Sequence, residues 1–261
     1  MPHIPDTYWI AGRCGCIVLA ATAILPLLPV DVWWIRIGDF PRVQLLISYT
    51  MMLAVMLCFR SVRDDKWWMA LMFGCAIVQV VKIYAWLPCA ALEVQTASNN
   101  DPSTHVRILS ANVLQDNEDY HRLLNLIDTE KPDVVALVEV NDQWMRELES
   151  LKQPFPHNKL HPLENKYGVA LYSRLPLRNS EVRYLVSDEI PSIVATVELR
   201  NGRDVRLFVV HPNPPRPGED TTKRDGELVL VGREVANLRD NAASKTVSAV
   251  VLGDMNDVGW S

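Results

Sequence analysis

Cysteine is missing from most of this chain. All five cysteines lie in the first ninety residues, at positions 14, 16, 58, 75 and 89, and none follows in the remainder of the 261 residues. This absence excludes a disulfide framework and a cysteine-ligated zinc site from everything after residue 89.

Basic residues are outnumbered in the same part of the chain. Residues 1–90 contain seven Lys/Arg and five Asp/Glu, which leaves nineteen Lys/Arg and twenty-six Asp/Glu in the rest, a balance of -7. Such a balance gives no broad positive surface, which argues against tight binding of long nucleic acid. The average composition, 49% hydrophobic and 22% charged, therefore hides two different parts.

The first part is rich in long apolar stretches. Three of them, residues 14–30, 43–59 and 67–87, are each close to the ~20 residues that cross a bilayer core as a helix. Tryptophan occurs at their ends, with Trp33 and Trp34 after the first stretch, where aromatic rings favour the water–lipid boundary. We expect a three-helix membrane anchor over residues 1–90.

Two alternatives to membrane spans are a bundle of buried soluble helices and a cleaved signal peptide. A signal peptide needs a small-residue cleavage site soon after its apolar core. The sequence LPLLPVDVWW at residues 25–34 offers none, and two further apolar stretches follow.

The orientation of the anchor rests on its short loops. Arg60, Arg63 and Lys66 lie between the second and third stretches, against Arg36 and Arg42 between the first and second. The positive-inside bias then places the second loop in the cytoplasm and the large C-terminal part outside it.

After residue 90 the pattern changes. Residues 91–105 are polar without an apolar period and predict a linker, and residues 106–261 alternate short β-branched runs with amphipathic segments. Asn201-Gly202 predicts a tight hairpin turn. We expect a layered α/β or α+β domain with strands at 106–112, 133–140, 169–173, 192–199, 204–211 and 246–254, and helices at 119–130 and 219–240.

Polar side chains follow several of these expected strands. They are Asn112, Glu139, His211, Asp254 and Asn256. Strand ends hold side chains rigidly at one rim, so this repetition predicts a single site. Taken singly, each has a simpler explanation: a turn at Asn112, a helix cap at Glu139, a surface turn at His211, and an Asx turn at Asp254 with Asn256.

Five sequence blocks in order carry a more specific signal. They are SANVL (110–114), PDVVALVEV (132–140), YGVALYSR (167–174), VVHPNPP (209–215) and VVLGDMND (250–257). Together they resemble the endonuclease/exonuclease/phosphatase superfamily, and the preceding apolar stretches resemble its bacterial membrane-anchored branch. The resemblance implies an α+β fold, with three N-terminal transmembrane helices followed by a partial four-layer αββα sandwich in residues 106–261.

The resemblance also implies a role for each site residue. Glu139 would be the principal metal ligand, supported by Asn112, while His211 and Asn256 would contact the scissile phosphate. Asp254 would orient or deprotonate the attacking water. Tyr167 would hydrogen-bond a phosphate oxygen, and Arg224 carries less weight as a further phosphate contact.

The implied cofactor is Mg²⁺, with Mn²⁺ as an alternative, and the implied substrate is a phosphoester. Oxygen ligands from one Glu and one Asn suit Mg²⁺ better than a softer metal. The implied partners are the lipid bilayer and a nucleic-acid or phospholipid substrate, with no protein partner. The implied location is the bacterial inner membrane, with the catalytic domain outside the cytoplasm.

The end of the chain adds one more expectation. Members of the superfamily normally finish with a further Asp and an Asp-His pair, whereas this sequence stops at Ser261. We therefore expect a chain truncated at its C-terminus, with little or no hydrolase activity. The alternatives to a nuclease-type hydrolase are a phospholipid or sphingomyelin-type phosphodiesterase and a non-catalytic membrane scaffold.

Overall fold

A computed structural model describes residues 6–58, 66–92, 101–214, 218–240 and 248–260. The chain divides into two compact units. The helical unit contains residues 1–95 together with the short segments 215–221 and 257–261, and the sheet unit contains residues 96–214 and 222–256.

The helical unit is built from apolar helices interrupted at prolines. Its α-helices are α1 (Asp6–Ile24), α2 (Trp33–Arg36), α3 (Arg42–Cys58) and α4 (Lys66–Ile83), with 3₁₀ turns at Leu25–Leu27, Ile37–Asp39 and Tyr84–Trp86. Pro26 lies in the turn that ends α1, and Pro41 immediately precedes α3. Both positions are expected, since proline cannot donate the backbone hydrogen bond that a helix interior requires.

Of the three expected membrane spans, two correspond to single helical stretches that are long and apolar enough to cross a membrane, and the third does so only in part. The two single stretches are residues 10–27 and 66–86. The middle stretch, expected at 43–59, corresponds to α3, which counts as a third span only together with the preceding helical segment Trp33–Asp39, from which it is bent by 73°. Residue 59 and the basic loop at 60–65 lie outside the described residues.

The apolar side chains of these helices face mostly outward. Only 22% of the window 10–27 and 28% of the window 66–86 are buried. Exposed examples include Val18, Phe73 and Val81. An outward apolar surface of this kind is typical of a helix surrounded by lipid rather than by protein.

A polar cluster lies inside the helical unit. Arg42 is fully buried, pairs with Asp39 and donates a 3.0 Å hydrogen bond from Nη1 to Gln79 Oε1. It ties the start of α3 to α4, because Gln79 belongs to α4. Buried ionic groups are tolerated only when paired in this way.

The sheet unit contains two four-stranded sheets. The first has the order β1 (Ile108–Asn112), β2 (Val134–Val138), β4 (Val169–Ser173), β3 (His157–His161). The second has the order β5 (Leu177–Tyr184), β6 (Pro191–Glu198), β7 (Asp204–Val210), β8 (Ser248–Gly253). The helices are α5 (Tyr120–Glu130), α6 (Asp142–Glu147) and α7 (Thr222–Asp240).

Two strand pairs are parallel, and the others are antiparallel. β1 pairs parallel with β2, and β7 pairs parallel with β8. A parallel pair needs a crossover connection, which α5 supplies in the first sheet and α7 in the second. As a result, the carboxyl ends of the two strands in each pair lie at the same edge of their sheet.

The core lies between the two sheets. Alternate residues of β2, such as Val134 and Val138, pack with Ile193 and Val197 of β6 in one buried cluster. Helical residues cover the outer face of each sheet, with Leu123, Ile127 and Trp144 on the first and Leu228 and Val231 on the second. The expected α+β class with two packed sheets is confirmed.

Most of the expected elements in the described residues are confirmed. The apolar strands and both helices begin and end within three residues of the predicted positions, and residues 246–247 lie outside the described residues. Gly202 adopts φ +79° and donates its N–H to Leu199 O, which forms the predicted turn. The prediction missed β3 and β5, whose alternating polar residues fit half-exposed edge strands.

Two glycines permit close backbone contacts in the sheet unit. A Cβ on Gly168 would lie 1.8 Å from Val140 O, and a Cβ on Gly253, which has φ +123°, would lie 2.0 Å from Val210 O. Both contacts are next to expected site residues in the sequence. Gly168 follows Tyr167 and meets the residue after Glu139, and Gly253 precedes Asp254 and meets the residue before His211. Glycine at these positions therefore lets the polar segments approach each other.

We expect Gly168→Ala to lower the free energy of unfolding by more than about 2 kcal/mol, because the atoms that the new Cβ meets are backbone atoms. Near-UV circular dichroism during urea unfolding measures the change. Gly232→Ala is the control: a Cβ there meets nothing within 4 Å, and alanine favours a helix by about 0.5–1 kcal/mol. Equal effects of the two substitutions would contradict the packing argument.

A buried carboxyl group lies on the inner face of α7. Glu227 is 3% exposed, and its Oε1 has no hydrogen-bond partner among the described residues. Burial raises the pKa of Glu227 from 4.5 to about 7. The folded state thus binds this proton more tightly than the unfolded state, so the cost of the buried charge is absent below pH 4.5 and fully present above pH 7.

We expect Glu227→Gln to raise the free energy of unfolding at pH 8 by roughly 2–3 kcal/mol, with little effect near pH 4.5. Urea unfolding at both pH values tests this. Glu130→Gln, at an exposed position of α5, should change little at either pH. A Glu227→Gln variant that is less stable than the wild type at pH 8 would show that the carboxylate has a favourable partner.

Candidate active site

Four of the expected site residues come from the carboxyl ends of four strands. Asn112 is the last residue of β1, Glu139 follows β2, His211 follows β7, and Asp254 follows β8. Two of these strands belong to each sheet. Because both parallel pairs present their carboxyl ends on one edge, the side chains meet at a common rim.

The amide of Asn112 joins the two sheets at this rim. Its Nδ2 donates to Glu139 Oε1 at 2.7 Å and to Asp254 Oδ2 at 2.9 Å. Two carboxylates are therefore brought within two hydrogen bonds of each other. Hydrogen bonds to ionised acceptors are the stronger kind, so the amide offsets the repulsion between the two acids.

Asn112 and Asp254 form the local turns that were their simpler explanation and also take part in the site. Asn112 Oδ1 accepts from Leu114 N at 2.9 Å, and Asp254 Oδ1 accepts from Asn256 N at 2.9 Å, which are Asx-type turns. Each side chain thus fixes its own loop with one polar atom and faces the rim with the other. The helix cap expected at Glu139 is instead Asn141, which accepts from Trp144 N.

The backbone is strained at the same rim. Glu139 has φ +63°, Asn256 has φ +49° and Leu114 has φ +57°. Non-glycine residues held in this region cost about 1–3 kcal/mol each and persist only where the surroundings determine them. Concentration of such residues beside the paired carboxylates supports a functional site.

His211 is buried, so the explanation of a surface turn is wrong for this residue. It is 3% exposed, and its Nε2 lies 3.8 Å from Glu139 Oε1. Burial lowers the pKa of His211, while the charges of Asp254 and Glu139 act against that change. Its Nδ1 has no hydrogen-bond partner among the described residues.

Tyr167 and Asn256 lie around this histidine. The ring of Tyr167 is 5.5 Å from that of His211, and its hydroxyl donates to Asn213 Oδ1 at 2.6 Å. Asn256 Nδ2 donates to Pro212 O at 2.9 Å. The structure thus brings all six expected residues into one network, directly or through one neighbour.

Arg224 joins the network from α7. It is 5% exposed, its Nη1 donates to Asn256 O at 3.2 Å, and its Nη2 pairs with Asp225 at 2.8 Å. The guanidinium therefore holds the strained loop at Asn256 and places a positive charge beside it.

Two further residues were missed by the sequence analysis. Asn213 lies inside the block VVHPNPP, so its position next to His211 was a usable signal. Gln115 donates its backbone N–H to Glu139 Oε2 at 3.4 Å. No residue pattern marks Gln115, because its partners come from a distant part of the chain.

The rim suits a hard divalent cation. Among the described residues no three His, Cys, Asp or Glu side chains form a ready metal cluster. The oxygen atoms that face the rim are instead the carboxylates of Glu139 and Asp254, ligands of the kind that Mg²⁺ prefers, whereas Asn112 faces the rim with its NH₂ group. The NH₂ group that now lies between the two acids marks the position where positive charge is most favourable.

Comparison with solved structures gives several matches, one of which reaches a TM-score of 0.50 and shows a related fold. The chain matches a D. rerio TDP2 humanised by 14 mutations at 18% identity and a TM-score of 0.50, covering 59% of this chain and 63% of that one. It matches D. rerio TDP2 complexed with a single-strand DNA product at 18% identity and a TM-score of 0.49, covering 59% and 61%.

The human Nocturnin catalytic domain with a bound sulfate anion matches at 22% identity and a TM-score of 0.44, covering 58% of this chain and 65% of that one. The match thus spans less than two thirds of the length of each of these three structures. At these identities the likeness concerns the fold alone. No curated protein matches the chain in sequence.

A family model settles the classification where the structures show only a fold. The model described as "Endonuclease/Exonuclease/phosphatase family" matches residues 109–261, which is more than half of the chain and includes every residue of the rim. The chain therefore belongs to the endonuclease/exonuclease/phosphatase family.

Proposed function

We propose that the protein is a membrane-anchored, divalent-metal-dependent phosphodiester hydrolase. The observation that carries the proposal is the Asn112 amide held between Glu139 and Asp254, with the buried His211 beside them. Family membership supports phosphoester hydrolysis as the reaction class.

The proposed metal is Mg²⁺ or Mn²⁺, held by Glu139, with Asn112 as the supporting ligand; Asn112 would bind through Oδ1, which accepts from Leu114 N in this structure. When bound, such an ion supplies positive charge that stabilises the developing charge on the phosphoryl oxygens. Glu139 is well placed as the principal ligand, because its carboxylate is only 13% exposed and both of its oxygens face the rim. Its strained backbone fixes that direction.

The chain's own groups would bind the phosphate and the water. Asp254 already accepts hydrogen bonds at both oxygens, and carboxylate oxygens have further lone pairs with which to orient an attacking water. The amide of Asn256 has a second N–H beyond the one donated to Pro212 O. His211 contributes a ring N–H at the same rim, and the Tyr167 hydroxyl, which donates to Asn213 Oδ1 in this structure, would turn to donate to a bound phosphate. Neither group competes for the metal.

The proposed substrate is a phosphodiester of modest size rather than long nucleic acid. The balance of -7 after residue 90 supports this restriction, since tight binding of long nucleic acid depends on many basic contacts. A phospholipid phosphodiester is the second candidate. The outward apolar faces of α1 and α4 favour it, because they would keep the chain at a lipid surface.

Metal dependence is tested by Glu139→Gln. We expect the wild-type chain to bind Mn²⁺ in isothermal titration calorimetry and to gain thermal stability from it, and we expect Glu139→Gln to lose at least 10-fold in affinity. Binding is the first measurement because no Asp-His dipeptide occurs in the 261 residues and we expect low turnover.

Glu147→Gln is the matched control for this experiment. Glu147 accepts a hydrogen bond from Gln143 within α6 and is exposed, so its substitution should leave Mn²⁺ affinity unchanged. If the folded wild type takes up no Mn²⁺, or if Glu139→Gln binds it equally well, the enzymatic proposal fails and the non-catalytic scaffold is favoured.

We also propose that α1, the bent pair α2–α3 and α4 cross the bacterial inner membrane with the sheet unit outside the cytoplasm. The outward apolar surfaces and the basic residues at 60, 63 and 66 support this. Expressed in bacteria, the chain should stay in the membrane pellet after alkaline carbonate extraction, and external protease on intact spheroplasts should digest the sheet unit.

The charge bias gives this topology test a matched variant. Replacing Arg60 and Arg63 by Asn removes two of the three cations of that loop and should yield a mixed orientation, seen as partial protection from protease. Release by carbonate would rule out the spans, and full protection of the wild type would reverse the orientation.

A further inference from the structure

Gln115 contacts the Glu139 carboxylate and a second loop that carries a site residue. Its backbone N–H donates to Glu139 Oε2 at 3.4 Å. Its side-chain amide donates from Nε2 to Glu164 O at 3.1 Å and accepts at Oε1 from Lys166 N at 2.7 Å. One residue therefore connects the loop after β1, the Glu139 carboxylate and residues 164–166, directly before Tyr167.

The loop that Gln115 contacts is anchored on its other side as well. The Glu164 carboxylate accepts from Asn141 Nδ2 at 3.2 Å and from Asp142 N at 3.3 Å, at the start of α6. The Lys166 ammonium contacts Asp116 Oδ2 at 2.8 Å. Gln115 thus completes a continuous set of hydrogen bonds beside the Glu139 carboxylate, which we call the belt. It links residues 115–116, 141–142 and 164–166.

The belt restrains residues that would otherwise relax. Leu114, Glu139 and Lys166 all have positive φ, at 57°, 63° and 71°. The Gln115 amide satisfies a donor and an acceptor of the backbone next to Lys166, as a neighbouring strand would. Without the Gln115 side chain, the backbone at residues 164–166 loses two hydrogen bonds beside the positive φ of Lys166.

We propose that Gln115 is a positioning residue, which fixes the Glu139 carboxylate and the segment entering Tyr167 in one arrangement. This inference rests on the proposed function in assigning metal binding to Glu139. Gln115 itself does not touch the metal or the substrate. It acts through Glu139 and through the backbone of Lys166, as residues behind metal ligands commonly do.

The test compares Gln115→Met with the wild-type full-length chain in detergent. Methionine keeps the length and most of the volume but makes neither side-chain hydrogen bond. We expect the amides of Lys166 and of residue 115 to exchange with deuterium roughly fivefold faster, while the β4 amides are unchanged. We expect Mn²⁺ affinity to fall about 10-fold, with the thermal midpoint of the metal-free protein nearly unchanged.

Gln143→Met is the matched control, because Gln143 is a half-buried glutamine whose side-chain hydrogen bonds stay within α6. It should alter neither measurement. The exchange measurement needs no metal, so unchanged exchange at Lys166 and residue 115 overturns the positioning role by itself. Unchanged Mn²⁺ affinity of Gln115→Met, in a protein whose wild type binds Mn²⁺ through Glu139, overturns the metal part and leaves the proposed function standing.

Absence of Mn²⁺ uptake by the wild-type protein bears on both proposals. It contradicts the proposed function and the metal part of this inference together, while the exchange measurement still decides whether Gln115 fixes the loop. A loss of affinity that accompanies a large drop in the metal-free thermal midpoint indicates general destabilisation and counts against positioning.

Discussion

The site depends on one amide held between two acids that belong to different sheets. Asn112 donates to Glu139 within the first sheet and to Asp254 of the second. Two carboxylates that accept hydrogen bonds from the same amide nitrogen are close enough to repel each other unless positive or partially positive charge lies between them. The packing of the sheets therefore has to be correct at the rim, and a small shift of β8 against β1 would separate the acids.

The rest of the sheet unit serves this alignment. The apolar residues between β2 and β6 set the distance between the sheets. The two parallel pairs bring four strand ends to one edge, and Gly168 and Gly253 let the loops beyond those ends come close. The strain at Glu139 and Asn256 is sustained because hydrogen bonds from Gln115 and Arg224 act on the same segments.

The sequence predicts the buried elements well and the exposed ones poorly, for a physical reason. β2 is a continuous apolar run and β6 is mostly apolar, a pattern typical of strands that are buried on both faces. β3, with the sequence HNKLH, pairs only with β4, and its polar residues resemble a loop. The bend between α2 and α3 lies at Pro41, just before the predicted apolar stretch 43–59, so hydropathy gives no sign of it.

The same division applies to the site. Residues that end apolar strands, such as Glu139 and His211, are visible in the sequence because a polar side chain directly follows a buried run. Gln115 is not visible, since its role comes from Glu164 and Lys166, about fifty positions further along. Spatial neighbours of this kind follow from the fold and from no local pattern.

The span of the central contact has a consequence for how the protein is made. Asn112 and Asp254 are separated by 142 positions, and β8 is the last strand among the described residues. Closing so long a loop is slow, because most of the chain must be ordered before the contact forms. During translation Glu139 emerges from the ribosome well before its opposing acid, so the paired rim assembles only after β8 has been made.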